Sequence, residues 1–344
     1  MLGGAPRRVI PRTPPKLLLR QLHHHHASAN AENEDSIRFY KSRGQHILVN
    51  PRILHTIVTK SAINPTDTVL EIGPGTGNLT LKLLQAAHRV VAIEIDDRMV
   101  HVLEKRVLQH GLRHKLHVIQ KDALRTQFPH FDLVVANIPY GISSPLLMKL
   151  VYGATPFRSA TLLLQKEFAG RLLANPGDSE FNRLAVNVKL VADVEFVMDV
   201  SKRDFLPCPK VDSSVVIIRP KDQLPDVDIH EWRAFTRTCF SRKNKTLGAT
   251  FKQKSKLLRL FKLFNVSGFA EEDDDDDAGG CQRPFKEKII GVLKTGGYED
   301  KRPSKLSIEE LLHLLSLFNG AGIYFHDCRK NCNQDRFAED DDDG

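Results

Sequence analysis

The segment Asn137-Ile-Pro-Tyr140 places two hydrogen-bond acceptors and an aromatic ring within four residues. The Asn137 side-chain oxygen and the Ile138 carbonyl can both accept from one amine. On an aromatic amine, such a pair favours tetrahedral geometry and localises a lone pair that is otherwise delocalised into the ring. Pro139 stiffens the turn, and Tyr140 can stack on a flipped base. An amine activated in this way attacks an electrophile before it loses its proton, so no strong general base is required. A plain Asn-Pro turn would use the same residues without the chemistry. The residues that precede the segment decide between the two.

Upstream, Val69-Leu-Glu-Ile-Gly-Pro-Gly-Thr-Gly77 runs an apolar stretch into three glycines. Glycine lets the backbone turn sharply and approach a ligand without a Cβ clash, and the helix start beyond offers free N–H groups. A dinucleotide site shares this logic. The G-x-G-x-G spacing, with Glu71 ahead of the first glycine, instead resembles the S-adenosylmethionine site of class I methyltransferases. Glu94, closing the next apolar segment, can accept both hydroxyls of a ribose; Asp96 and Asp97 are its neighbouring alternatives. Asp122, after the third segment, can accept from an adenine amine. Any one of these acids could be a helix N-cap or a solvated loop residue; their order after successive strands makes them a set.

The elements that must position these motifs alternate. Helices are expected over 53–62, 79–87, 98–110, 145–152 and 166–174, and strands over 68–72, 89–93, 116–120, 133–136 and 159–164. Such alternation means a parallel sheet covered on both faces. Two late strands, 194–200 and 213–220, read as a hairpin-like addition at the sheet edge. After Asp226 the chain turns helical and basic, with helices over 230–240, 245–251, 285–295 and 307–319. The expected fold is α/β: a Rossmann-like class I methyltransferase domain over 36–222, then a smaller helical C-terminal domain over 223–326.

The assembled pattern resembles the KsgA-type ribosomal RNA adenine dimethyltransferase family over roughly 44–220. Gly44-Gln-His-Ile-Leu-Val-Asn50 is similar to the family's entry motif, where His46 and Leu48 would line the cofactor. Gly73, Gly75, Glu94, Asp122 and Asn137 fall on its other cofactor positions. Leu164-Gln-Lys-Glu-Phe-Ala169 and Phe205-Leu-Pro-Cys-Pro-Lys-Val-Asp-Ser-Ser214 are also similar to family segments, with Cys208 where relatives carry proline. The resemblance implies that Phe205 sandwiches the target base opposite Tyr140. It would then be partly exposed, facing the same cavity across an adenine-sized gap. The catalytic set would be Asn137, Ile138, Pro139, Tyr140 and Phe205.

Beyond Pro220, Arg242-Lys-Asn-Lys-Thr-Leu247 and residues 311–325 resemble the eukaryotic branch. The implied activity is transfer of two methyl groups from S-adenosylmethionine to each of two adjacent adenines near the small-subunit rRNA 3′ end. The substrate would be RNA in a pre-ribosomal particle, and the enzyme a monomer. Three other readings compete. One is a relative with little catalysis that serves mitochondrial transcription or ribosome assembly; the intact Asn137–Tyr140 segment and cofactor acids weigh against it. The second methylates large-subunit rRNA, and the third methylates DNA adenine, for which no target-recognition domain is visible.

Charge and composition agree with a polyanionic partner. The 344 residues carry 50 Lys and Arg against 42 Asp and Glu, a net charge of +8, although acids concentrate in runs at 271–277 and 339–343. Basic residues over 242–262 would hold phosphates with salt-dependent affinity. No apolar run has the roughly 20 residues of a membrane helix, so no membrane partner is expected. Residues 1–35 hold Arg7, Arg8, Arg12, Lys16 and Arg20 with no acid before Glu32, the make-up of an organelle import segment. That predicts mitochondria, with the nucleolus as the alternative. Residues 271–280 form an acidic insert and 327–344 an acidic tail. His23 to His26 read as linker. Five cysteines without a CxxC pair indicate free thiols. His326, Cys328 and Cys332 lie close in sequence but lack a second ligand pair at zinc spacing, so no metal is expected.

Overall fold

The computed structural model describes residues 45–266 and 282–326. The import segment, Gly44, the acidic insert, Cys281 and the tail with Cys328 and Cys332 lie outside the described residues.

The described chain enters through a two-residue strand, β1 (Ile47–Leu48), and helix α1 (Pro51–Lys60). Asn50 caps this helix by accepting from Arg52 N–H, and Pro51 supplies a preset first turn. Alternating units follow: β2 (Thr68–Ile72), α2 (Asn78–Ala86), β3 (Arg89–Glu94), α3 (Asp97–Gln109), β4 (Leu116–Gln120), β5 (Leu133–Asn137), α4 (Ser143–Val151), β6 (Ser159–Gln165) and α5 (Lys166–Leu173). Then come α6 (Arg183–Val191), β7 (Ala192–Val200), the two-residue β8 (Phe205–Leu206) and β9 (Ser213–Pro220). Helices α7 (Ile229–Phe240), α8 (Leu247–Phe251), α9 (Lys254–Val266), α10 (Gln282–Thr295) and α11 (Ile308–Gly320) complete the chain.

Seven strands form one sheet in the order β4-β3-β2-β5-β6-β9-β7. The first five are parallel; β9 runs antiparallel between β6 and β7, so the late pair closes the edge as a hairpin-like addition. The parallel strands read as near-continuous apolar runs because both faces are covered. Successive residues go to opposite layers. Leu70, Ile72, Val134 and Ala136 pack in one, and Val69, Val90, Leu133 and Val135 in the other. Burying each large aliphatic side chain contributes about 1.5–3 kcal/mol.

The two layers divide the helices. Ile57 of α1, Leu83 and Leu84 of α2 and Leu103 of α3 cover one face. The other face is covered by Leu146 of α4 and Val188 of α6. Its apolar cluster continues without a break into Trp232, Phe235, Phe251 and Phe318 of the C-terminal helices and Phe325 beyond α11.

Helix α6 was not among the elements read in sequence. Asn182 caps it by accepting from Ala185 N–H at 3.1 Å. Burial of Ala185, Val186, Val188, Leu190 and Val191 then stabilises it.

Candidate active site

The strand order reverses between β2 and β5, and there the carboxyl ends of parallel strands leave a crevice. The chemical motifs lie along that edge. The glycine turn follows β2, Glu94 closes β3, Asp122 comes two residues after β4, and Asn137 closes β5. Gly73 N–H donates to the Ile93 carbonyl at 2.9 Å, which carries the ladder one residue into the turn.

A cavity at this edge is lined by Glu71, Gly73, Gly75, Glu94, Asn137 and the entry residues 45–48. Gly73 and Gly75 hold φ of +68° and +55°, the left-handed region that favours glycine. A Cβ on Gly73 would lie 3.2 Å from Pro139 Cδ, and one on Gly75 would lie 2.6 Å from Ile47 Cδ1. The first glycine is thus where the two turns touch, and the second is where the entry segment closes over the turn.

The entry segment is clamped along its length. Gln45 donates to Asp96 at 2.8 Å, and Asn78 Nδ2 donates to the Leu48 carbonyl at 2.8 Å. Val49 N–H donates to the Asp204 carbonyl at 2.9 Å, and Asn50 Nδ2 to the Asp204 carboxylate at 2.8 Å. Arg106 of α3 donates to Thr76 O and Asn78 Oδ1, and so braces the glycine turn from behind.

Two buried carboxyl groups share the cavity. Glu94 accepts from the backbone N–H groups of Ile95 and Asp96 at 3.0 Å and of Gly75 at 3.3 Å. Burial raises its pKa, and the backbone bonds to Asp96, Gly75 and Ile95 oppose the rise. Glu71 is 1% exposed, and its Oε2 has no hydrogen-bond partner. Burial pushes its carboxyl up to about 8; the Thr80 hydroxyl approaches without completing a hydrogen bond, and the Glu94 charge adds to the rise. Asp96 is instead the N-cap of α3. The Arg98 guanidinium at 2.5 Å holds it down to about 2, which separates it from Glu94 in role.

Asn137 Nδ2 donates to the His46 carbonyl at 2.9 Å. That bond fixes the amide orientation and makes Oδ1 the acceptor end. Ile138 is 1% exposed, its N–H donating to the Leu163 carbonyl at 3.3 Å. The Tyr140 hydroxyl hydrogen-bonds Ser213 Oγ at 2.9 Å, and burial raises its pKa. The Tyr140 ring stacks on His46, centroids 5.9 Å apart with 26° between planes. Pro139 lines the cavity beside Asn137, and Leu48 lines it from the entry side.

Tyr140 also lines a second, larger cleft with Phe168, Arg171, Arg183, Arg233 and Lys243. Lys243 falls within the basic stretch marked out in sequence. Arg171, Arg183 and Arg233 were not singled out, because α5, α6 and α7 bring them together from 62 positions of chain. Lys252, also in the basic stretch, pairs with Glu299 at 2.9 Å. Ile95 was missed as well. It is 64% exposed at the cavity rim, an apolar residue between two acids.

One expectation needs correction. Phe205 is not partly exposed: it is 3% exposed and packs with Leu48, Val200 and Val215. β8 pairs with β1, placing Phe205 opposite Leu48 and Leu206 opposite Ile47. Alternation turns Phe205 inward and leaves Leu206 60% exposed. Asp122 stands at the sheet edge but apart from the residues lining the cavity. Its Oδ1 accepts from Leu124 N–H at 2.9 Å within its own loop, and Oδ2 lies 3.8 Å from Arg125 Nε.

Comparison with known proteins shows the family and the fold. A family model described as ribosomal RNA adenine dimethylase matches residues 37–265. The chain is 63% identical over 315 residues to the mitochondrial ribosomal RNA small subunit methyltransferase of Arabidopsis thaliana, covering 86% of this chain and 83% of that one. Among solved structures it is similar to a dimethyladenosine transferase from Plasmodium falciparum. That likeness has a TM-score of 0.73 at 43% identity over 81% of this chain and all of the other. The 23S rRNA methyltransferase ErmE is more distant, with a TM-score of 0.56 at 25% identity over 79% and 99% of the two chains.

Proposed function

The chain belongs to the ribosomal RNA adenine dimethylase family, and from that premise we infer how its two cavities divide the work. It is an S-adenosylmethionine-dependent methyltransferase that forms dimethyladenosine in small-subunit ribosomal RNA, and it acts in mitochondria. The reading extends to two adjacent adenines near the 3′ end, presented in a pre-ribosomal particle to a monomeric enzyme.

S-adenosylmethionine supplies an electrophilic methyl group. The residues at the crevice suit such a ligand. Glu94 has three of its roughly four acceptor positions taken by backbone N–H groups. A ribose diol would take the fourth and replace the long 3.3 Å bond from Gly75. The unpartnered Glu71 Oε2 offers one more acceptor on the cavity wall. The side chain absent from Gly75 lets Ile47 of the entry segment close over the turn. His46 and Leu48 would close the site from the entry side. Asp122 would turn its outer oxygen to the cofactor's adenine amine.

Asn137 Oδ1 and the Ile138 carbonyl would accept from the target N6 amine and localise its lone pair toward the methyl donor. Tyr140 would hold the base by its face, with stacking worth about 1–3 kcal/mol. Arg171, Arg183, Arg233 and Lys243 would take the flanking phosphates in the adjoining cleft. The observation that carries the reading is that the Asn137 amide, oriented by the His46 carbonyl, lines the same cavity as Glu94.

Unmethylated small ribosomal subunits, incubated with enzyme and cofactor and analysed by mass spectrometry, should gain dimethyladenosine. Glu94→Ala should weaken cofactor binding several-fold, because a hydrogen bond to a charged group contributes about 1.5–3 kcal/mol. Tyr140→Ala should bind cofactor normally and methylate poorly. Unchanged calorimetric affinity in the first variant, or wild-type methylation in the second, overturns the assignment of that residue.

A further inference from the structure

The loop that carries Asp122 leaves β4 at Gln120 and reaches β5 at Leu133. Its own hydrogen bonds over 122–126 are local. Asp122 Oδ1 accepts from Leu124 N–H at 2.9 Å, and the Asp122 carbonyl accepts from Thr126 N–H at 2.9 Å and from Thr126 Oγ1 at 2.6 Å. Such bonds curl the turn without fixing it to the rest of the domain. A polar attachment comes from α4. Lys149 Nζ donates to the carbonyls of Ala123, Leu124 and Thr126 at 2.8, 2.9 and 2.6 Å, so all three N–H groups of the ammonium go to one turn. The centre of the Phe128 ring lies 4.3 Å from the same nitrogen, within cation–π range.

We infer that Lys149 is a positioning residue for the cofactor: it sets the 122–126 turn against α4 and thereby aims the Asp122 carboxylate at the adenine amine of S-adenosylmethionine. This rests on the reading of Asp122 as the acceptor for that amine. One carboxylate oxygen is already bound to Leu124 N–H, so the place of the outer oxygen follows the place of the turn. Arg125 does little to steer it, since its Nε lies 3.8 Å from Oδ2 on a side chain that is 90% exposed. A hydrogen bond is lost beyond about 3.5 Å, so a displacement of the turn by under about 1 Å is enough to break the contact with the amine.

The geometry of α4 makes this attachment more than local. The helix starts at Ser143, three residues after Tyr140, and Lys149 lies six residues further on, roughly 9 Å along the axis. One rod therefore carries the Asn137–Tyr140 segment at its start and grips the Asp122 turn from its side. The adenine end of the cofactor and the loop that faces its methyl group are registered to the same helix.

The test measures, by calorimetry on the full-length protein, the Kd for S-adenosylhomocysteine and for its analogue with unsubstituted purine, which keeps the ring and lacks the amine. Wild type should hold the amine-bearing ligand at least about five-fold tighter, as a hydrogen bond to a carboxylate warrants. Asp122→Ala and Lys149→Met should each bring that ratio to within about two-fold of one. The double variant should bind S-adenosylhomocysteine within about two-fold of Asp122→Ala alone, because Lys149 acts through Asp122. Binding is measured well below each melting temperature, where a merely structural loss weakens both ligands alike and leaves the ratio unmoved. Lys149→Gln, which keeps two donors, carries the test if Lys149→Met does not fold, with an intermediate ratio expected. A wild-type ratio in the Lys149 variant, or a double variant weakened by the full factor of both single changes, overturns the inference. If wild type shows no preference, or Asp122→Ala keeps it, the reading of Asp122 falls and the inference with it.

Discussion

At the scale of residues, the acids of the crevice show how far type and order reach. Glu71, Glu94, Asp96, Asp97 and Asp122 were all visible in the chain, and the ribose-binding choice lay among Glu94, Asp96 and Asp97. What separates the candidates is solvent and hydrogen bonding, which no sequence displays. Asp96 is bound by Arg98 and caps a helix, while Glu94 sits buried on backbone N–H groups. Glu71 is the extreme case, its carboxyl raised from an ordinary 4.5 to about 8 by burial. The folded chain thus retains a proton that the unfolded chain releases above the ordinary value. The stabilisation from this group is whole below about 4.5 and is lost as pH climbs toward 8. Glu71→Gln keeps the neutral hydrogen-bonding shape and removes the titration. Its melting temperature should fall less than that of wild type between about pH 6 and pH 8; parallel curves for the two proteins would show that Glu71 is ionised in the fold.

Among elements, the apolar strands and amphipathic helices were legible because burial on both sheet faces leaves a plain pattern. The misses share one cause. Helix α6 is decided by its Asn182 cap and its surroundings, and the β1–β8 ladder joins residues 157 and 159 positions apart. That short ladder set the inward face of Phe205, so the error about Phe205 was an error about pairing. Elements also hold loops in ways composition hides. Lys149 of α4 donates to the carbonyls of Ala123, Leu124 and Thr126 at 2.8, 2.9 and 2.6 Å, and lies 4.3 Å from the Phe128 ring centre. Burial lowers its pKa, and the Asp122 charge opposes that. Lys149→Met preserves the stem and removes the donors, leaving part-buried carbonyls unmet at roughly 1–3 kcal/mol each where water cannot reach them. Urea denaturation should show a loss of about 2–3 kcal/mol. A midpoint equal to wild type would mean that water replaces the lysine without cost.

For the molecule as a whole, one apolar layer runs from the parallel sheet to α11. The change of character after Asp226 was readable; the shared core was not, since contacts between distant helices leave no local periodicity. Phe325 and His326 are drawn to the start of α7 by a buried carboxylate. Glu231, 3% exposed, accepts from the N–H groups of Phe325 and His326 and from His326 Nδ1 at 2.8 Å. Glu231→Ala strands those donors and should cost about 2–4 kcal/mol. With the core continuous, calorimetry should still show a single transition at a lower temperature. A separate early transition, with the sheet melting unchanged, would show that the C-terminal helices unfold on their own.

The side chain missing at position 73 constrains how this chain can change over generations. The loop that grips the donor and the loop that grips the acceptor meet at Gly73 and Pro139, where a Cβ would press to 3.2 Å on the proline ring and φ of +68° favours glycine. A mutation at 73 is felt at once by the acceptor loop. Relief by replacing Pro139 surrenders the stiffness of that turn. The two loops are thus coupled through one contact, and a change in either is a change in the fit of the other.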